Sequence, residues 1–166
     1  MRAFTDRTGR PGPLTWELGN YPEGQEDYPV SGVSWFEAAA YARFRKKNLP
    51  TIYHWYRAAL AQFELLQPLM PWIIPASNFA GTGTVKVGTY PGMASSGAMD
   101  MAGNVREWCW NEAGPGLRRI FGGCWSDPTY AFVMTNAESA LSRSPLNGFR
   151  CIRLLSTDAL DARIDA

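Results

Sequence analysis

Helical periodicity survives in one stretch of this chain, from Ser34 to Phe63; elsewhere glycine or proline interrupts every run. Ser34 and Glu37 have the spacing of a capping box, in which each side chain satisfies a backbone N–H at a helix start. Trp35, Ala38, Ala39 and Ala42 follow at i, i+3, i+4 and i+7, an apolar stripe with three small residues that lets another backbone come close. Asn48-Leu49-Pro50 ends this helix. Thr51 caps a second one, whose buried face is Trp55, Ala58, Ala59 and Phe63.

The rest reads as loops and short strands. Residues 1–29 are an irregular lead-in broken by Gly9-Arg-Pro-Gly-Pro and Tyr21-Pro-Glu-Gly, which suggests a piece of a longer chain. Residues 30–155 form the domain, and 156–166 are a polar tail. Within the domain, Gln67 to Pro75 is an apolar, proline-broken packed loop. Strand-like pieces are Thr84 to Val87, Arg119 to Phe121 and Gly148 to Leu154. With 16 Gly, 12 Pro and 13% aromatic residues, the pattern is α+β: two helices, short mixed strands, and many loops around aromatic anchors. Trp35, Trp55, Trp108, Trp110 and Trp125 are mostly core.

Charge and cysteine content exclude several classes of function. A net charge of +1 leaves no basic field for nucleic acid. The basic run Arg43, Arg45, Lys46, Lys47 suits the C-terminal end of the first helix. No run of ~20 apolar residues could span a membrane. Three cysteines, Cys109, Cys124 and Cys151, argue against a disulfide framework and favour a cytoplasmic home.

The most informative segment is Asp100-Met-Ala-Gly103-Asn-Val105-Arg-Glu107-Trp108. It sets two carboxylates seven residues apart across flexible backbone. A looped segment of this kind could offer side-chain and carbonyl oxygens to a hard cation such as Ca²⁺. The same residues equally suit a tight turn capped by Asp100, with Glu107 paired to an arginine. Arg150 and Arg153 are long enough to tie loops to Glu107 or Glu112.

Five ordered motifs carry a resemblance. They are Pro29-Val-x-Gly-Val-Ser-Trp35-x-x-Ala38-x-x-Tyr41, Leu49-Pro50-Thr51-x-x-x-Trp55-x-x-Ala58-Ala59, the Asp100–Trp108 segment, Gly122-Gly123-x-Trp125, and Asn147-Gly148-Phe149-Arg150-Cys151-x-Arg153. Over about residues 28–154 the chain resembles the formylglycine-generating-enzyme (sulfatase-modifying factor) family. The resemblance implies a C-type lectin-like fold. It also implies a calcium site using the side chains of Asp100 and Glu107 and the carbonyls of Gly103 and Val105. A second family calcium site would use Asn78, but its acidic loop is missing here.

The catalytic positions depart from the family. Its enzymes hold copper(I) between two cysteines, a pairing of soft ion and soft ligand. The matching positions here are Asp127 and Phe132, so copper is not expected. The family's substrate-positioning serine is Cys124, and its groove-lining aromatic is Arg106. Iron-dependent sulfoxide synthesis on this fold needs three histidines, and the chain has only His54, expected on a helix surface. The disulfide that extracellular relatives make to the first helix would join Cys151 to Ala42, so it is absent.

Two functions follow from this reading. The first is a catalytically degenerate recognition module, binding a protein or small-molecule ligand through loops 124–146 on a calcium-braced frame. Its contact residues would be Arg106, Asp127, Thr129, Tyr130, Asn136, Glu138, Ser142 and Arg143. The resemblance leans towards domains linked to bacterial serine/threonine kinases and towards variable proteins of diversity-generating retroelements. The second is a divergent copper-dependent thiol oxidase, with Cys124 and Cys109 as the candidate catalytic thiols.

Overall fold

Residues 12–60 and 70–154 are described in this computed structural model. Helix α1, Trp35–Phe44, starts as its sequence dictates. Ser34 Oγ accepts from Glu37 N at 3.3 Å, and Ser34 N donates to Glu37 Oε2 at 2.7 Å. Trp35, Ala38, Ala39 and Ala42 are its buried residues. Helix α2, Ile52–Leu60, opens with Thr51 Oγ1 accepting from His54 N, and it buries Trp55 and Ala59. His54 is half-buried, its Nδ1 2.7 Å from Thr51 Oγ1, so it completes the cap. Phe63, assigned by its spacing to the buried face of this helix, lies outside the described residues.

The sheet has the order β3-β2-β1-β4: Asn136–Ser139, Leu117–Phe121, Arg106–Gly114 and Asn147–Gly148. β2 pairs antiparallel with both β3 and β1, whereas β4 runs parallel to β1, so the sheet is mixed. Two hydrophobic clusters pack around it. One combines α1 with Val33, Leu49, Trp108, Ile120 and Ala140. The other combines α2 with Ile73, Met101, Cys109, Phe121 and Phe132. Indole donors join helices to the sheet region: Trp35 Nε1 to the Cys109 carbonyl at 2.8 Å, and Trp108 Nε1 to the Val33 carbonyl at 3.0 Å. Burial of a large side chain of this kind contributes about 1.5–3 kcal/mol, so Trp55 and Trp108, at 1% and 0% exposure, are principal anchors. Trp110 is exposed and Trp125 half-buried, so neither belongs to these cores.

Three local expectations change. Thr84–Val87 is not a strand: Asn104 takes the place of a neighbouring strand, accepting from Val85 N at 3.0 Å and donating to Val85 O at 3.1 Å. Within 67–75, Met70–Ile73 forms a one-turn helix, α3, while 67–69 are outside the described residues. The strand expected over 148–154 shrinks to Asn147–Gly148, with an isolated bridge from Ile152 to Asn48, because Arg150 turns inward to meet Glu107. The described part of the lead-in docks on the domain. Leu14 N donates to Gly32 O at 2.8 Å and Thr15 Oγ1 to Ser31 O at 2.8 Å.

Candidate functional site

The segment 100–104 is a tight passage. Asp100, Gly103 and Asn104 all adopt positive φ, at 55°, 73° and 62°. At Gly103 a side chain is excluded, since a Cβ would lie 2.3 Å from the Asn78 carbonyl oxygen. Emerging from this passage, β1 sends Arg106 and Glu107 to opposite faces, as strand geometry requires. Glu107 is 5% exposed. Its Oε2 accepts from Trp55 Nε1 at 2.8 Å and from Arg150 Nε at 2.7 Å, and its Oε1 accepts from Arg150 Nη2 at 2.6 Å. Burial alone would lower the pKa of the Arg150 guanidinium. The charge and hydrogen bonds of Glu107, with the charge of Asp100, outweigh that and hold it above its ordinary value.

The expected pairing of Glu107 with an arginine is therefore present. For a cation, three of the four expected residues, Asp100, Val105 and Glu107, border one cavity of about 460 Å³, together with Arg150 and Phe149. Asp100 Oδ2 accepts from Gly88 N at 2.7 Å. Two carboxylates against one guanidinium leave one surplus negative charge on the wall, which fits a hard cation. No cluster of three or more His, Cys, Asp or Glu side chains exists among the described residues, so the remaining donors would be backbone or amide oxygens and water. Asn78 has other partners: its Nδ2 donates to Gly83 O at 3.0 Å and to Asn104 Oδ1 at 3.3 Å.

On the opposite face of β1, Arg106 grips Asp127 with two parallel bonds, Nε to Oδ2 at 2.8 Å and Nη2 to Oδ1 at 2.6 Å. Its Nη1 reaches Glu138 Oε1 at 3.3 Å. Glu138 Oε2 accepts in turn from Ser142 Oγ at 3.0 Å and Asn147 Nδ2 at 2.7 Å. Burial pushes the Asp127 carboxyl up, but hydrogen bonds from Arg106 and Cys124 and the Arg106 charge carry it below its ordinary value. The residues named as contacts thus divide. Arg106, Asp127, Glu138 and Ser142 form one network. Thr129 and Tyr130 are exposed on a 3₁₀ turn, Thr129–Phe132, and Asn136 is half-buried at the start of β3. Arg143 has different partners, Glu37 at 3.2 Å and the Gly12 carbonyl, and so clamps the lead-in to the start of α1.

All three thiols are free. Cys109 and Cys124 are fully buried, and burial raises both pKa values, most strongly for Cys109, where the nearby Glu107 charge adds to it. Cys124 Sγ lies 3.3 Å from Ser126 Oγ. Phe132 is 1% exposed, its ring 6.0 Å from that of Trp55.

Two buried asparagines escaped the sequence reading as structural hubs. Asn104, 1% exposed, ties residues 78, 85 and 125 together through side chain and backbone. Asn147, 0% exposed, reaches Glu138. Both precede or follow a glycine within the quoted motifs, the one local hint that backbone and amide act together there.

Residues 11–155 match the sulfatase-modifying factor enzyme 1-like domain. The serine/threonine-protein kinase pkn1 of Chlamydia pneumoniae is 34% identical over 155 residues, covering 78% of this chain and 25% of the kinase. The inactive C-alpha-formylglycine-generating enzyme 2 of Bos taurus is 30% identical over 152 residues, covering 75% of this chain and 50% of that protein. This chain thus spans about a quarter of the length of the kinase and half that of the other relative. Among solved structures, PvdO from Pseudomonas aeruginosa aligns with a TM-score of 0.63 at 20% identity, covering 79% of this chain and 63% of that one. Treponema denticola variable protein 1 aligns with a TM-score of 0.59 at 17% identity, covering 84% and 74%. At these identities the structures speak for the fold, α+β and C-type lectin-like, as the motifs led us to expect. A family match spanning nearly all of the described residues, on a fold shared with these structures, places this chain in the sulfatase-modifying factor enzyme 1-like (formylglycine-generating-enzyme) domain family.

Proposed function

We propose that this domain is a recognition module without the copper–thiol oxidase chemistry of its family, binding a protein or small-molecule ligand through loops 124–146. One observation carries the reading. Of the two positions that the resemblance assigns to the copper thiolates, Asp127 is locked to Arg106 and Phe132 is packed in a core. Neither can hold a soft metal ion without dismantling an ion pair or a hydrophobic cluster. That one relative is named as inactive is in keeping with this. The exposed 3₁₀ turn bearing Tyr130, with the half-buried polar residues beside it, gives these loops an aromatic and hydrogen-bonding surface suited to contacts.

The test is mass spectrometry of a Cys-x-Pro-x-Arg peptide incubated with the protein, copper and oxygen, beside an active family member. The expected outcome is an unchanged peptide. Conversion of its cysteine to the aldehyde would overturn the proposal and turn attention to Cys124 and Cys109.

The same proposal includes calcium as a brace at the Asp100–Glu107 cavity, drawing on Asp100, Glu107 and the carbonyls of Gly103 and Val105. Calcium at about 100 times its dissociation constant adds roughly 2.7 kcal/mol. The melting temperature should therefore rise between chelator and calcium, and Glu107→Gln should both lower the baseline melt and abolish the rise. Identical melts of the unaltered protein in calcium and chelator would remove calcium from the account and leave Arg150 as the brace.

A further inference from the structure

Among the aromatic side chains outside both hydrophobic clusters, Trp16, Tyr21, Tyr28 and Trp125 meet at one place. All four are half-buried. They line a single cavity of about 270 Å³ between the lead-in, the loop at Gly83 and Thr84, and the loops carrying Trp125 and Pro145. A half-buried ring outside the cores keeps part of its surface open. Four of them around one small space make an aromatic box, and Trp16 and Tyr21 form one corner, their rings 6.1 Å apart at 78°.

The box is held rigidly. Trp125 is fixed on both sides of its backbone, its N donating to Asn104 O at 3.0 Å and its O accepting from Gly81 N at 2.7 Å. Gln25 N donates to Pro22 O at 3.0 Å and Tyr28 N to Gln25 O at 3.2 Å, a pair of turns that sets Tyr28 against the cavity. The lead-in is fastened by Thr15 Oγ1 to Ser31 O. Close approach at Gly32 completes the seat: a Cβ there would meet Leu14 Cβ at 2.9 Å.

The charge of the lining selects among ligands. Among the described residues Glu26 is the only charged side chain that lines the cavity, and it lies in no ion pair. Aromatic faces attract cations through their quadrupoles, and a carboxylate adds a full charge of the same preference. A strongly hydrated primary ammonium gives up much to enter an apolar box, whereas a methylated ammonium brings its own apolar shell and is weakly hydrated. A cavity of this size accepts one such group and not a large ligand. We propose that the Trp16–Tyr21–Tyr28–Trp125 box, with Glu26 at its wall, binds a quaternary or fully methylated ammonium group. The group comes either as a free small molecule or as the side chain of a methylated lysine in a partner protein. Because Trp125 and Pro145 also belong to loops 124–146, this inference deepens the recognition reading and rests on it in part.

Calorimetric titration of the 166-residue chain tests it. The probes are choline, a short trimethyl-lysine peptide, and the neutral tert-butyl counterpart of each. Saturable binding of either cationic probe is expected, with its neutral counterpart at least about tenfold weaker, since the cation–π attraction is lost while shape is kept. Preference for choline or for the peptide assigns the source of the group. Glu26→Gln, at an exposed position, should weaken binding several-fold without moving the melting temperature; Tyr28→Leu should weaken it further. No binding of either cationic probe at millimolar concentration, or equal binding of the neutral counterparts, overturns the inference. The outcomes are separable from those of the oxidase assay: aldehyde formation would sink the recognition reading and leave methylammonium binding standing, whereas an unchanged peptide with no methylammonium binding would sink this inference alone.

Discussion

Asp127 sits where the family resemblance expects a thiolate, and the exchange has a consequence that pH can read. Its folded pKa lies below its ordinary value, despite burial that pushes it up, because Arg106 and Cys124 donate to it. An unfolded aspartate titrates near ~3.9. The stabilisation is therefore present in full above that pH and is lost as pH falls through the lower folded value. Replacement by Asn keeps one acceptor and removes the charge, leaving Arg106, with 20% of its side chain exposed, to Glu138 alone. Asp127→Asn should cost about 1–3 kcal/mol at pH 7, read as a lower urea midpoint, and the gap to the unaltered protein should narrow as pH falls below the unfolded value of about 3.9. A gap independent of pH would show that shape, not charge, matters there. Among the ion pairs of β1, Glu107 with Arg150 was legible, since each stood in a motif and the arginine is long enough to reach a carboxylate. Arg106 with Asp127 was not: both residues were singled out, but nothing in a separation of 21 residues says that a strand and a loop will bring them together.

At the scale of elements, α1 was legible because one short segment contains every cause of it: cap, stripe and stop. Strand β1 was not, although it is the longest strand, because its burial runs through Glu107, Trp108 and Cys109 without alternating. Trp108 faces the α1 cluster and Cys109 the α2 cluster, so both faces are covered and the period of two disappears. The expected strand at Thr84–Val87 failed for the opposite reason. Its residues have strand-like chemistry, but the partner supplied is the amide of Asn104, which closes both backbone groups of Val85 at a single position and has no sequence signature. That assignment predicts the outcome of Asn104→Leu. Similar volume is kept, while the Val85 N–H and C=O and the Asn78 amide lose partners, at about 2–4 kcal/mol for groups that remain partly buried, and a leucine at the left-handed φ of Asn104 adds strain of about 1–2 kcal/mol. Thermal melts give the total, and hydrogen exchange locates it: the Val85 amide should exchange well before global unfolding in the variant. Protection of Val85 equal to that of the unaltered protein would show that the loop holds itself.

For the whole molecule, motif order over residues 28–154 led to the fold class, but the way the lead-in closes onto the domain stayed hidden. Its contacts at Gly12, Leu14 and Thr15 each have a backbone group on at least one side, which no residue type announces. The arrangement around the sheet has a consequence for the thiols. Cys109 is enclosed by the α2 cluster, and Cys124 is covered by the turn that sets Asp127 against Arg106; both are 0% exposed. The thiolate is the form that attacks a thiol reagent, and burial disfavours that form at both sites, so exclusion and protonation act together. Cys151 is half-buried, and the charges of Lys47 and Arg45 work against the upward push of its burial. The native protein at neutral pH should therefore show at most one slowly reacting thiol towards a disulfide reagent, mapped by peptide mass to Cys151, and three once unfolded in guanidinium. This pattern also bears on function, because an oxidase built on Cys124 and Cys109 would need at least one thiolate within reach of substrate. Rapid labelling of Cys124 in the native state would mean that the loops over it open readily, and the recognition surface would then have to be redrawn as the mouth of a reactive site.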